Sequence, residues 1–143
     1  MDASVAVKWV VEEEGSEAAE ALKAHELHAP ALIRLEAGNA LRTIAARGTL
    51  TEEDARDAFA LLLAAPVRLH EPDAGALVDA FALALRLRHP LYDCAYLALA
   101  GRLGTLVVTA DKRLIAVART RAETARLVLP LGEPVPGEPQ GRT

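Results

Sequence analysis

Four carboxylates in this sequence stand apart from the many surface acids because apolar or small residues surround them. They are Asp2, Glu36, Asp93 and Asp111. Asp111 follows the apolar run TLVVTA, so it stands at the end of a predicted buried strand, where sites form in α/β proteins. Carboxylates about 5 Å apart in one pocket repel each other by roughly 3 kcal/mol, so they need cations or bound protons. The chemistry to consider is therefore the binding of divalent metal ions.

Each acid also has a simpler structural role when it is considered alone. Asp2 and Asp111 can cap the helices that follow them, and the helix dipole favours Asp93 in a first turn. Glu36 is harder to explain, because it lies mid-helix among apolar residues and a buried glutamate without a partner is costly. Asn39 is three residues further along and shares its helix face. Judged one at a time, the structural roles are favoured, and spacing alone does not show that the acids converge.

The elements that must position these acids are mostly helices. Apolar residues recur at helical spacing over most of the chain, and Gly, Pro and capping residues separate the segments. The sequence predicts helices at 5–11, 16–26, 31–47, 51–65, 73–87 and 92–103 and from 112, strands at 67–69 and 105–109, and a last apolar run at 127–131. Nearly all-apolar strands separated by helices favour an α/β architecture with a parallel sheet covered on both faces.

Length and composition limit the classes of protein that fit. The 143 residues predict a single domain at 1–131, followed by a flexible Pro- and Gly-rich tail at 132–143. The 52% hydrophobic content excludes a disordered chain, and no apolar run reaches the roughly 18 residues of a membrane span. The lone Cys94 excludes an internal disulfide and a cysteine-based zinc site. Because the N-terminus lacks a secretory signal pattern, we expect a cytoplasmic protein that does not bind membranes.

Four separated motifs carry a resemblance to a known family. In chain order they are DASVAVKWVVEE, APALIRLEAGNALR, YDCAYLALA and TLVVTADKRL. Together they resemble the PIN-domain ribonucleases, and specifically the VapC-type toxins of bacterial toxin–antitoxin pairs, over residues 2 to about 129. The resemblance implies a PIN-like three-layer α/β fold, in which helices flank a short, mostly parallel sheet. In that family the first acid ends a strand, whereas only Met1 precedes Asp2 here, so we expect a truncated first strand.

The resemblance also implies that the four acids converge at the C-terminal edge of the sheet as catalytic and metal-binding residues. Asp2 and Asp93 are the expected direct ligands, and Glu36 and Asp111 complete the site directly or through water. Three polar residues match positions that support these acids: Ser4, Asn39 and Thr109. Oxygen ligands without His or Cys select hard ions, Mg²⁺ or Mn²⁺. Two such ions would offset four carboxylate charges, so the net charge of −4 is compatible with an RNA substrate.

Activity and partners follow from the same resemblance. It implies hydrolysis of RNA phosphodiester bonds that leaves 5′-phosphate and 3′-hydroxyl ends, a cognate antitoxin protein that docks in a groove, and a homodimer. Arginine suits bidentate phosphate contact, so Arg42 and Arg113 are candidate RNA contacts. A solvated helix face explains these arginines equally well.

Three functions are compatible with the sequence. The first is a metal-dependent endoribonuclease that acts as the toxin of a toxin–antitoxin pair, and the presence of all four acids in matching motifs favours it. The second is a non-catalytic PIN-like module that binds a partner protein or RNA and uses the acids as caps, which the short segment before Asp2 favours. A small metal-dependent phosphatase ranks last, because no strand ends in a D-x-D pattern.

Overall fold

Two pairs of parallel strands make up the β-structure of the computed structural model, which describes residues 1–137. β1 (Leu27–Pro30) pairs with β2 (Val67–His70), and β3 (Val107–Thr109) pairs with β4 (Val128–Pro130). Parallel neighbours cannot be joined by a tight hairpin, so each pair needs a long crossover connection. Helices supply both connections, which gives the α/β organisation.

Helices precede, connect and follow the strands. In chain order they are α1 (Ala3–Ala6), α2 (Ser16–Ala21), α3 (Ile33–Ala46), α4 (Glu52–Leu63), α5 (Ala74–Leu87), α6 (Leu91–Leu103), α7 (Lys112–Ala118) and α8 (Ala122–Ala125), with 3₁₀ turns at Val7–Trp9 and Leu22–Ala24. Capping side chains start several of them. Thr51 caps α4 by accepting the Asp54 N–H, and Asp73 caps α5 in the same way. Gly104 ends α6 at φ 65°, a left-handed conformation that favours glycine.

The first two residues lie between the two strand pairs. The Met1 ammonium donates a hydrogen bond to the His28 carbonyl oxygen in β1 (3.1 Å), and the Asp2 N–H donates to the Val108 carbonyl oxygen in β3 (3.2 Å). Both residues are buried. Backbone hydrogen bonds thus connect this segment to both pairs, although two residues are too few to form a strand. It occupies the place where the truncated first strand is expected.

The buried side chains form two apolar clusters. The larger core gathers residues from both strand pairs and from α1, α5, α6 and α7, and Leu97 and Leu114 are fully buried in it. Cys94 is also fully buried there, as a small core residue, and burial raises the pKa of its thiol to about 11. The smaller core joins α3 and α4 through Leu41 and Ala58. Helix α6 therefore packs into the larger core, and it carries Asp93 in its first turn.

One helix keeps an apolar face in contact with solvent. Helix α5 exposes four large apolar side chains, which we call the α5 strip: Leu77, Val78, Phe81 and Leu85. The exposed fractions reach 66% at Val78 and 64% at Leu85. The opposite face of α5 packs into the larger core through Ala80, Leu83 and Leu87. The α5 strip is thus not required for the core of a single chain.

The structure corrects several predicted boundaries. The segment 28–30, predicted to be an interruption, belongs to β1, because pairing with β2 supplies the hydrogen bonds that its own sequence does not indicate. The helix predicted at 5–11 begins at Ala3, since Asp2 caps it, and it tightens into a 3₁₀ turn at Val7. The helix predicted at 16–26 is shorter in the structure, where the α-helix ends at Ala21. The short helix α8 lies where no element is predicted.

The end of the described chain follows β4. The flexible tail predicted at 132–143 falls partly on residues 138–143, which lie outside the described residues. Before them, Val135 packs half-buried against the larger core. Among residues 1–137, no helix is both long enough and apolar enough to cross a membrane.

Candidate active site

Asp2 is buried where α1 begins beside the end of β3. Its Oδ1 accepts hydrogen bonds from the Ser4 N–H (3.1 Å) and the Ser4 hydroxyl (2.5 Å). The Thr109 hydroxyl donates a short hydrogen bond to Oδ2. Burial raises the pKa of Asp2, although these hydrogen bonds and the N-terminal ammonium oppose the rise. Asp2 therefore caps α1, as predicted, and also ties α1 to β3.

Thr109 connects Asp2 to the acid at the strand end. The Asp111 N–H donates to Thr109 Oγ1 (3.0 Å), the same oxygen whose proton is donated to Asp2. The Asp111 carboxylate caps α7 through Oδ1, which accepts the N–H groups of Arg113 (2.8 Å) and Leu114 (3.3 Å). The structural role predicted for Asp111 is thus realised. Its capping bonds hold the carboxylate at the C-terminal end of β3.

Glu36 and Tyr96 pair across the helices α3 and α6. The Tyr96 hydroxyl donates to Glu36 Oε1 over 2.6 Å. Burial is the main reason that the pKa of Glu36 is raised, and the negative charges of Asp93 and Asp2 raise it further, against the effect of the Tyr96 hydrogen bond. Burial and the same three carboxylates raise the pKa of Tyr96, so its phenol remains a donor. Asp2 and Asp93 thus lie close enough to Glu36 for their charges to raise its pKa.

Asp93 lies in the first turn of α6 and has a histidine partner. His89 Nε2 is 2.6 Å from Asp93 Oδ2, and the exposed side-chain fractions are 13% and 26%. A carboxylate oxygen only accepts, so Nε2 carries the proton in this bond. Asp93 is therefore both shielded and reachable from solvent.

The hydrogen bonds leave one carboxylate oxygen free on three of the four acids. Within residues 1–137, no protein donor bonds Glu36 Oε2, Asp93 Oδ1 or Asp111 Oδ2. In the same part of the chain, no three His, Cys, Asp or Glu side chains are placed to hold a metal ion together. The donor set nevertheless fits a hard cation, because its ligands are all oxygens and their charges repel one another.

Two of the predicted basic residues present charge that no described acid neutralises. Arg113 is exposed two residues after Asp111, and it forms no ion pair within residues 1–137. Arg42 is also exposed and bonds only to the neutral side chains of Asn39 (3.2 Å) and Thr43 (3.4 Å). Asn39 therefore bonds to Arg42 instead of Glu36. Other arginines contact acids, as Arg86 contacts Glu123 at 3.3 Å.

Ser4 and Thr109, predicted to support the acids, both bond Asp2. The sequence does not indicate the partners of Glu36 and Asp93, which are Tyr96 and His89. His89, in the turn before α6, and Tyr96, within α6, stand four residues before and three residues after Asp93, which is the spacing of one helix face. That spacing is the signal that could have found them.

The pH dependence of stability should reveal the buried charge of Asp2. A carboxyl group whose pKa is raised by folding stabilises the fold fully below its unfolded pKa, near 3.8 here, and this contribution is lost as the pH rises through the folded pKa. In EDTA, we expect the free energy of unfolding of the wild type, measured relative to Asp2→Asn, to fall as the pH rises. One titrating group limits the slope to about 1.4 kcal/mol per pH unit.

Urea denaturation of both proteins at about pH 5 and about pH 8 measures this difference. The asparagine side chain of the variant retains an acceptor for Ser4 but does not titrate, so contributions from groups that do not interact with Asp2 cancel in the comparison. A wild type that gains stability over Asp2→Asn at the higher pH would contradict the expectation.

Comparisons with known proteins identify the family of this chain. A family model described as PIN domain matches residues 1–120. The chain therefore belongs to the PIN-domain family, and the predicted membership and α/β fold class are confirmed. Among curated relatives, it is 39% identical over 118 residues to Ribonuclease VapC3 of Pyrobaculum aerophilum. That match covers 80% of this chain and 89% of the relative.

Proposed function

We propose that this protein is an endoribonuclease of the PIN-domain family that acts as the toxin of a toxin–antitoxin pair. The observation that carries the proposal is the placement of Asp2 and Asp93 near Glu36, whose pKa their negative charges raise. The name of the relative, Ribonuclease VapC3, supports the reaction class. Hydrolysis of a phosphodiester builds negative charge, which a purely acidic pocket cannot stabilise without a cation.

The proposed cofactor is Mg²⁺ or Mn²⁺. Asp2 and Asp93 would hold the ion directly, and Glu36 and Asp111 would do so directly or through water. When bound, such an ion lowers the pKa of water and neutralises charge on phosphate oxygens. The free oxygens of Glu36, Asp93 and Asp111 support the roles proposed for these three acids, because a ligand oxygen needs an available lone pair.

The side chains of this chain have separable tasks in the proposed reaction. Glu36 Oε2 orients the attacking water and accepts its proton, a task that suits a carboxylate whose pKa is raised. The Tyr96 hydroxyl donates to the other oxygen of Glu36 and so fixes the orientation of the carboxylate that accepts the proton. Arg113 and Arg42 bind phosphates of the RNA backbone and so set its position, without reading its sequence.

Partners and location complete the proposal. The cognate antitoxin is a protein, and the substrate is RNA. We infer a homodimer, which the exposed apolar α5 strip supports, since contiguous exposed apolar patches mark interaction surfaces. A cytoplasmic location is consistent with an RNA substrate.

Removal of metal tests the function. In total RNA incubated with the purified protein, we expect new 5′-phosphate ends in Mn²⁺ or Mg²⁺, none in excess EDTA, and recovery when the metal is restored in excess. Sequencing of the new 5′ ends measures cleavage, and calorimetry measures metal binding in parallel. Cleavage that persists in EDTA would contradict the metal dependence. RNA binding without cleavage in any metal would indicate a non-catalytic binding module.

A further inference from the structure

We propose that His89 is a positioning residue for the active site, which holds Asp93 in the orientation that binds metal. This inference rests on the proposed function. It concerns a residue outside the four acidic motifs, and the contact that carries it is the 2.6 Å bond between His89 Nε2 and Asp93 Oδ2.

The turn between α5 and α6 fixes the backbone of His89. Arg88 adopts a left-handed conformation (φ 51°, ψ 46°) at the end of α5, and the N–H groups of Arg88 and His89 both donate to the Ala84 carbonyl oxygen. The bond from His89 closes the helix in the manner of a Schellman motif. Pro90 follows at φ −53° as the N-cap of α6. The ring of His89 is thus delivered to the start of α6 by two constrained neighbours.

The bond from His89 restricts the rotation of the Asp93 side chain and leaves one carboxylate oxygen free. His89 occupies only Oδ2, and within residues 1–137 no other donor bonds the carboxylate, so Oδ1 is available to a ligand. A free aspartate in a first turn would rotate toward unpaired backbone N–H groups as a capping residue does. His89 offers a competing donor on the outer side of the turn. Its side chain is 13% exposed, so little solvent competes for the contact.

A second pair in the site shows the same arrangement. Tyr96 donates to Glu36 Oε1 at 2.6 Å and leaves Oε2 free, just as His89 donates to Asp93 and leaves Oδ1 free. His89 and Tyr96 therefore each hold one half-buried acid through a single carboxylate oxygen. Hydrogen bonds to ligating carboxylates are a general means of orienting them, and their loss typically lowers metal affinity by about 10- to 100-fold.

The test separates a positioning role from a structural one. His89→Leu removes the donor, His89→Asn keeps an amide that is too short to reach, and His89→Gln places an amide N–H near the position of Nε2. His70→Leu is a matched control, because His70 Nε2 is 2.8 Å from His28 Nδ1 and bonds to none of the four acids of the site. For each protein, calorimetry gives the Mn²⁺ affinity, RNA cleavage is followed across Mn²⁺ concentrations, and thermal unfolding reports stability.

We expect His89→Leu and His89→Asn to bind Mn²⁺ at least about tenfold more weakly than the wild type. Their cleavage should recover as the Mn²⁺ concentration increases, and His89→Gln and His70→Leu should stay within about threefold of the wild type. Unchanged Mn²⁺ affinity in His89→Leu and His89→Asn would overturn the inference, and so would equal weakening in His89→Gln. A wild type that binds no Mn²⁺ and cleaves no RNA would instead refute the proposed function itself.

Discussion

Replacement of Asp93 by asparagine is expected to lower RNA cleavage by about two to three orders of magnitude. The substitution removes the negative charge that would balance a bound cation, and the amide group that it introduces offers only one oxygen ligand. The fold should survive, because the His89 N–H can still donate to the amide oxygen and the side chain is partly exposed. Cleavage at saturating Mn²⁺ and the midpoint of thermal unfolding measure the two expectations.

Asp57→Asn is the matched control for this experiment. Asp57 is an exposed acid on α4 with no ion pair among the described residues, so the same change of charge there should leave cleavage within about twofold of the wild type. Full activity in Asp93→Asn would remove Asp93 from the active site. A comparable loss in Asp57→Asn would show that overall charge, and not the site, controls the rate.

Leu97→Ala is expected to reduce the free energy of unfolding by about 3 to 5 kcal/mol. Leu97 is fully buried in the larger core on α6, four residues after Asp93. The loss combines the transfer free energy of the removed methyl groups with the cost of the cavity that remains. A loss of this size is a large share of the roughly 5–15 kcal/mol by which domains are stable. Urea denaturation with an unchanged slope measures it.

Leu61→Ala provides the comparison on an exposed helix position. The Leu61 side chain is 65% exposed on α4, so we expect a change of no more than about 0.5 kcal/mol. If Leu97→Ala cost no more than Leu61→Ala, α6 could not be the packed support of the active site that the fold indicates. Because Asp93 lies on α6, loosening of that helix should also slow RNA cleavage by Leu97→Ala.

Helices and their caps could be predicted because their signals are local. Asp111 caps the helix that follows it, as predicted, and Thr51 and Asp73 cap α4 and α5 at the predicted starts of those helices. β1 could not be predicted in this way. Its residues Leu27–Pro30 include a histidine and a proline, and only pairing with β2, 40 residues later in register, makes them a strand. The place of Met1 and Asp2 between two strand pairs is likewise a tertiary fact.

In the candidate site, too, the sequence predicted what local signals and the resemblance indicate, and it missed contacts that depend on the fold. Neighbouring residues and the family resemblance were enough to single out Asp2, Glu36 and Asp93, and the structure brings Asp2 and Asp93 close enough to Glu36 to raise its pKa. The hydrogen-bond partners of Glu36 and Asp93 were not predicted, since a tyrosine in an apolar helix and a histidine before a proline have common roles in a core and a turn. Only the fold shows that Tyr96 faces Glu36 across α3 and α6.

The double attachment of Asp2 affects how activity should be judged in related sequences. Ser4 and Thr109 bond both of its oxygens, so a lineage that stopped cutting RNA would still be under selection to keep an Asp or Asn there for the sake of the fold. Asp93 makes one such bond, at the partly exposed start of α6, and would drift freely once catalysis was lost. Under the proposed function, an acid at position 93 is therefore a better marker of a working nuclease in descendants of this protein than an acid at position 2.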